Sequence, residues 1–224
     1  MAETRSVDTR ERILDAAERL FTANGFDGTS MRQITGAAGV NLASVNYHFG
    51  TKEALVQEVF RRRLAWLNTE RLRVLTAMEQ AAGDKALKPS QIVEGFFGTL
   101  LGMAQDEARG GVTFLRLLGR TLTDPADFIR TFLADEYQEV VERYKTALFK
   151  ALPDVPRAEI AWRFHFMLGA TSYAIAGTDA LRLVTDWQVD DEDATDRLDR
   201  LQPRLMSFLL GGLRAPLPKF EEMQ

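Results

Sequence analysis

Residues 29–52, TSMRQITGAAGVNLASVNYHFGTK, decide the fold. Met31 and Ile34 share one face of a first short helix, and Ala37 and Ala38 keep its far end slim. Gly39 supplies the residue without a Cβ that a sharp turn between helices prefers. Val40 plugs the angle between the helices, and Asn41 is a good N-cap for a second helix, Leu42 to His48. Two helices joined by a short glycine turn make a helix-turn-helix, here about residues 30–49, whose second helix enters the DNA major groove.

Upstream, residues 1–7 read as a loose tail, and Asp8 or Thr9 caps a helix reaching about Asn24. In it Ile13, Leu14, Ala17, Leu20 and Phe21 form one apolar stripe at helical period. Asn24-Gly25 ends that helix, Phe26 packs back on the stripe, and Thr29 is expected to cap the next helix. Downstream, Thr51 caps a fourth helix from Lys52 to about Ala82, long enough to leave a first domain and reach a second. Its early face, Leu55, Val56, Val59 and Phe60, completes a three-helix core with Phe21 and Phe49. Residues 83–90 form a linker.

Helical segments then follow one another: Ile92 to Gln105, Phe114 to Leu122 after the Gly110-Gly111 break, and a helix opened by Asp124-Pro125 that runs to about Leu152. Another runs from about Arg157 to Thr185. The last carries Leu198, Leu201, Leu205, Phe208 and Leu209, a stripe close to a heptad seam. Asp190-Asp191-Glu192-Asp193 reads as a solvated loop, since the spacing and glycine of a calcium-binding loop are missing. No strand pattern appears. The expected fold is all-α, with a helix-turn-helix domain at residues 8–68 and a regulatory, ligand-binding and dimerisation domain at 69–215.

Composition removes several function classes. The net charge is −4, with +1 in residues 1–63 and −5 in the remainder, so the acidity lies outside the helix-turn-helix segment. Zero Cys excludes a disulfide, a thiolate metal site and a Cys nucleophile. The longest uncharged apolar run, 164–178, is shorter than the roughly 20 residues that span a bilayer. The charged N-terminus is unlike a signal peptide. A cytoplasmic protein with no cofactor, no metal and no membrane partner is expected. An enzyme is not: there is no Gly-x-Ser-x-Gly elbow or HExxH site, and two His leave little acid–base chemistry.

The first 65 or so residues resemble the DNA-binding domain of the TetR family of transcriptional regulators. The matching features are Ile13-Leu14 and Ala16-Ala17 with Leu20-Phe21, Gly25-Phe26 with Thr29-Ser30, Ile34, Ala38-Gly39-Val40, Tyr47-His48-Phe49 and Lys52-Glu53-Ala54-Leu55. Two departures stand out. Gly36 sits inside a helix, where it costs about 1 kcal/mol against Ala, and Asn46 occupies a place often filled by Tyr. Residues 114–119 (FLRLLG), 162–170 (WRFHFMLGA) and 39–49 (GVNLASVNYHF) look like the PsrA-type repressors of that family. This resemblance implies control of fatty-acid metabolism genes and loss of DNA when a long-chain fatty acid or its CoA thioester binds.

Chemistry and resemblance together assign the DNA contacts. Thr29 offers a hydroxyl and free backbone N–H groups to a phosphate, and Arg32 reaches phosphate or a groove edge. Ala43 suits a thymine methyl, and Ser44 and Asn46 hydrogen-bond base edges. Tyr47 and His48 resemble the family's backbone contacts, Lys52 adds charge near phosphate, and Phe49 belongs to the core. Arg61-Arg62-Arg63 reads as a solvated face or inter-domain salt bridges rather than a DNA patch.

In the second domain Phe96, Phe97, Met103, Phe114, Leu118, Phe132, Tyr137, Phe164, Met167 and Tyr173 either line a tunnel for a ligand or build ordinary core; for any one of them core is the commoner outcome. Gly95, Gly98 and Gly102 open a groove that admits a helix or a long thin ligand. Arg116, Arg163 and His165 are the polar groups placed to meet an acyl carboxylate or CoA phosphate. The last two long helices resemble the family's dimer interface, with Leu198, Leu201, Leu205, Phe208 and Leu209 as its seam. The expected partners are thus a palindromic double-stranded operator, a small hydrophobic ligand and a second copy of the chain. A repressor responding to drugs and controlling an efflux pump is the nearest rival, and an all-α lipid-processing enzyme a remote one.

Overall fold

Helix α1 (Ala2–Asn24) begins in the segment expected to be a loose tail. Nothing between Ala2 and Val7 breaks a helix, and Arg12 pairs with Asp8 one turn back at 3.9 Å. Five short steps follow from local chemistry. The α1 terminus turns through Gly25, whose N–H donates to the Phe21 carbonyl at 2.9 Å. Helix α2 (Met31–Ala38) starts at Ser30 in a capping box with Gln33. Gly39 then takes φ +64°, a left-handed conformation that a side chain resists. Asn41 caps α3 (Leu42–Phe49) by accepting from the Ser44 N–H at 2.8 Å, and Thr51 caps α4 (Lys52–Ala82) in the same way.

The computed structural model describes residues 2–123, 125–177 and 194–219, with side chains described from residue 8 onward and, in the last helix, from residue 200. Beyond α4 the chain forms α5 (Pro89–Val93), a π-turn (Glu94–Gly98), α6 (Thr99–Gly102) and two 3₁₀ turns (Met103–Gln105 and Glu107–Arg109). Then come α7 (Gly111–Thr123), α8 (Asp127–Ala151), α9 (Arg157–Ile175) and α10 (Ala194–Leu213). The described residues contain no strand.

Three expected boundaries shift. The single helix Ile92 to Gln105 is broken into α, π and 3₁₀ pieces. Helix α8 starts at Asp127, with Pro125 outside it. Helix α9 ends at Ile175, ten residues early, because Gly177 turns at φ +71°. The acidic loop at 190–193 lies outside the described residues.

One core runs through the molecule. Ile13, Leu14, Ala17, Phe21, Ile34, Val45, Leu55, Val59 and Phe60 are buried together in the first three-helix unit with the start of α4. The second half buries Phe96, Phe97, Leu100, Phe114, Leu118, Tyr144 and Leu148 around the far half of α4. The two units are closely joined. Helix α1 packs on α7, where Arg120 donates to the Thr22 carbonyl at 2.8 Å. The Phe26 and Phe128 rings meet at 5.1 Å. Among the described residues no helix is long and apolar enough to cross a membrane.

Candidate nucleic-acid interface and regulatory interior

Helix α3 buries Val45 and Phe49 and turns its other face outward. Ala43 and Asn46 are exposed and Tyr47 is 83% exposed, whereas Ser44 and His48 are half-covered. Three successive residues diverge on a helix: Phe49 enters the core under the Arg10 guanidinium, Tyr47 points out, and His48 lies between them with its ring edge-on to Tyr47 at 5.2 Å. Leu42, 43% exposed at the start of the helix, is a surface residue the sequence reading missed; its signal was the position directly after the N-cap. On α2, Arg32 and Gly36 are exposed one turn apart.

Two expected phosphate contacts are corrected. Thr29 is buried, and its hydroxyl donates to the carbonyls of Gly25 at 2.8 Å and Leu20 at 3.1 Å. Ser30, not Thr29, caps α2 and stands exposed at its N-terminus. Lys52 donates its ammonium to the carbonyls of Phe26 at 2.8 Å and Thr29 at 3.0 Å, above the Phe26 ring. Both side chains stitch the α1–α2 loop together instead of reaching outward. Arg12, overlooked in the sequence, donates to the carbonyls of Ala38 at 2.6 Å and Gly39 at 2.9 Å. It thereby sets a cation on the negative end of the α2 dipole and fixes the turn.

All three members of the basic triplet on α4 have carboxylate partners, Arg62 and Arg63 half-buried and Arg61 at the surface. Arg62 pairs with Asp15 at 2.7 Å and Glu11 at 3.0 Å, and both Arg62 and Arg63 close on Glu18, which is 3% exposed. Arg63 also donates to the Ala108 carbonyl at 2.8 Å, crossing from the first unit to the second. Arg61 pairs with Glu58 and with Glu136 on α8. Above this network lies a cleft of about 440 Å³ lined by Glu11, Asp15, Arg62, Arg63, Trp66 and the 107–109 turn. Its charged walls suit water and ions, not an apolar ligand.

The candidate ligand residues divide into groups. Phe96, Phe97 and Phe164 come together, with Phe164 at 5.0 and 5.8 Å from the other two rings, and Tyr144 joins Phe96 at 5.1 Å. Met103, Leu118, Phe132 and Met167 are buried, and Phe114 stacks edge-on against Phe60 toward the first unit. Gly95 brings its backbone against α4 and α8, where a Cβ would stand 2.9 Å from the Met78 methyl and 3.1 Å from the Tyr144 hydroxyl. Neighbouring helices thus fill the groove at Gly95 only: at Gly98 the Glu94 side chain occupies the space, and at Gly102 no atom lies within 4 Å of where a Cβ would stand.

The polar candidates are corrected. Arg163 pairs with Glu159 and donates to the Leu213 carbonyl, so it caps α10. His165 is exposed on the outer side of α9, as is Tyr173, and Arg116 lies half-covered against the turn at Gly177. The cation actually inside is Arg71, which the sequence reading passed over as one of many charges on α4. It is 1% exposed, its Nε donates to the Phe96 carbonyl at 2.9 Å, and its guanidinium carbon sits 3.8 Å from the Phe96 ring centre. Burial pushes its pKa down, opposed by Tyr137 and Tyr144. Burial likewise pushes Tyr144 up to about 12; its hydroxyl donates to the Arg71 carbonyl at 2.8 Å.

The expected dimer seam is corrected as well. Leu205 and Leu209 are buried within the chain and Leu201 packs on its core, because that stripe of α10 lies on α9 and α5. Leu198 lies outside the described side chains. Phe208 alone of the five is shown turned out, 68% exposed. The outward apolar stripe belongs instead to α9: Trp162, Phe166 and Tyr173, with Gly169 leaving open space between them.

Comparison with known proteins agrees with this architecture. Residues 13–59 match the bacterial regulatory proteins of the tetR family, and residues 94–212 match the tetracyclin repressor-like C-terminal domain. The probable HTH-type transcriptional regulator YttP of Bacillus subtilis is 36% identical over 78 residues, covering 33% of this chain and 38% of YttP. The HTH-type transcriptional repressor KstR2 of Mycolicibacterium smegmatis is 32% identical over 88 residues, 39% of each chain. These alignments thus span well under two thirds of the relatives' length. Among solved structures, the transcriptional regulator FadR of Bacillus subtilis in complex with stearoyl-CoA has the same fold, with a TM-score of 0.55 at 14% identity, covering 90% of this chain and 98% of FadR. With the helix-turn-helix in one half and the matched C-terminal domain spanning more than half of the chain, the protein belongs to the TetR family of DNA-binding transcriptional regulators.

Proposed function

We propose that the protein is a homodimeric repressor of fatty-acid metabolism genes that leaves its operator when a long-chain fatty acid or acyl-CoA binds between α4 and α9. The cluster of Phe96, Phe97 and Phe164 inside the regulatory half, around a π-turn, carries the ligand reading. Rings of this kind with few polar groups suit an acyl chain. The stearoyl-CoA bound to FadR, a protein of the same fold, supports it. Residues 8–68 hold the DNA and 69–215 the ligand and the second subunit.

On the DNA side, Arg32, Ala43, Asn46 and Tyr47 make the contacts, with Ser44 and His48 at the margin and the Ser30 end of α2 facing phosphate. A palindromic operator requires two recognition helices about 34–36 Å apart, and hence a two-fold dimer. The outward stripe of Trp162, Phe166 and Tyr173 with Phe208 is the surface that a second copy covers. Ligand binding moves α4, which links both halves, and alters the spacing of the heads. A coupling of roughly 1–3 kcal/mol gives a 5–150-fold loss of affinity.

The test is fluorescence anisotropy on DNA from the gene's own promoter, titrated with oleate, palmitate, oleoyl-CoA and cationic drugs. Release by an acyl compound and silence toward the drugs is the expected outcome. Release by the drugs alone transfers the assignment to an efflux-pump repressor.

A further inference from the structure

The regulatory interior buries a cation, Arg71, that meets a carbonyl and aromatic rings but, among the described residues, no carboxylate within ion-pair distance. Its sequence neighbour Glu70 turns to Arg73 at 2.6 Å, Glu79 to Arg143 at 2.8 Å, and Glu136 to Arg61 at 3.2 Å. The buried Nη1 of Arg71 has no hydrogen-bond partner, and neither has the buried Oδ1 of Asn68, three residues earlier on the same helix face. A buried guanidinium is strongly unfavourable unless an anion completes it. Of the two orphans only Nη1 is a donor: beside the Phe96 and Tyr137 rings it is the group that an anionic head would complete, whereas the Asn68 Oδ1 is an acceptor that a carboxylate does not serve.

We propose that Arg71 anchors the carboxylate of the effector, which is therefore a free acid with an apolar body, bound head inward, and not a thioester. This rests on the ligand-responsive reading above and refines it. The free Nη1 offers a charge-assisted hydrogen bond to a carboxylate, whereas the thioester group of an acyl-CoA is uncharged and its phosphates lie a pantetheine arm away from the acyl chain. Phe96, which lies over the guanidinium, sits on the π-turn, an irregularity frequent at functional sites. The apolar body then lies along Phe96, Phe97 and Phe164. Tyr144 grips α4 at the Arg71 carbonyl, so a carboxylate arriving there moves α4 at a fixed point. Lys52 lies 19 residues away at the other end of that helix, a lever of roughly 28 Å at 1.5 Å per residue.

The test titrates the full-length protein on its promoter DNA with palmitate, methyl palmitate, palmitoyl-CoA and the short aromatic acid cinnamate with its methyl ester, reading anisotropy and Tm. An acid is expected to act at a concentration at least tenfold below its ester or thioester. Arg71→Met is expected to keep helicity and operator binding while losing that preference, and Arg71→Lys to retain part of it. Esters or palmitoyl-CoA acting as well as the acid overturn the Arg71 assignment and leave the fatty-acyl reading intact. An Arg71→Met protein with the wild-type response does the same. Cinnamate acting where palmitate does not supports Arg71 and overturns the fatty-acid reading, whereas silence toward every acid overturns both. If Arg71→Met does not fold, the comparison of acid with ester on the wild type decides.

Discussion

Single residues in the helix-turn-helix carry structural duties that their types do not announce. Thr29 is the clearest case, since its hydroxyl serves two carbonyls from a buried position. Thr29→Val keeps the shape and removes both bonds, so about 1–3 kcal/mol of stability is expected to be lost. Operator affinity of the folded fraction should change little; a large fall in affinity with unchanged Tm would restore the phosphate role. Gly36 gives the opposite sign. It is exposed, inside α2, with no atom within 4 Å of where a Cβ would stand. Gly36→Ala is therefore expected to stabilise the domain by about 0.5–1 kcal/mol in a denaturant melt. If it weakens DNA binding at the same time, the bare backbone there is in contact with phosphate.

At the scale of elements, α9 and α10 separate two kinds of apolar stripe. Leu205 and Leu209 close the chain's own core, while Trp162, Phe166, Tyr173 and Phe208 are left outside it. The two sets predict different failures. Leu205→Ala creates a cavity and should cost about 2–5 kcal/mol of folding stability. Phe166→Lys leaves the fold of the protomer intact and should shift the sedimentation coefficient to that of a monomer, with operator affinity falling in parallel. A Phe166→Lys protein that sediments as a dimer would move the interface elsewhere.

Across the whole molecule, a charged network inside the first unit reaches the second through Arg63, alongside the apolar contacts between the halves. Glu18 on α1 receives Arg62 and Arg63 from α4, and Arg63 continues to the Ala108 carbonyl in the second half. Breaking a buried pair by removing one partner leaves uncompensated charge. Glu18→Gln is thus expected to lower stability by about 3 kcal/mol, the low end of the range because Arg62 keeps Asp15 and Glu11. It should also reduce the ligand-induced change in operator affinity, since α4 would then move without carrying α1. An unaltered ligand response in Glu18→Gln would place the coupling elsewhere, through the Phe26–Phe128 contact for instance.

By itself the sequence determined what depends on near neighbours in the chain. The caps at Asn41 and Thr51, the left-handed glycine at Gly39, the length of α4 and the divergence of Tyr47, His48 and Phe49 are set by residues three or four positions apart, and all were legible. The tertiary structure decided which partner each long side chain meets. Period alone makes Leu205 and Leu209 a seam, but only the packing of α10 on α9 and α5 says that the seam closes within one chain. Arg71 looks like any other charge on an amphipathic helix until the Phe96 carbonyl, 25 residues later, is found against its Nε. Burial is a property of elements brought together over long separations, and the chemistry of an arginine depends on that burial more than on its place in the sequence.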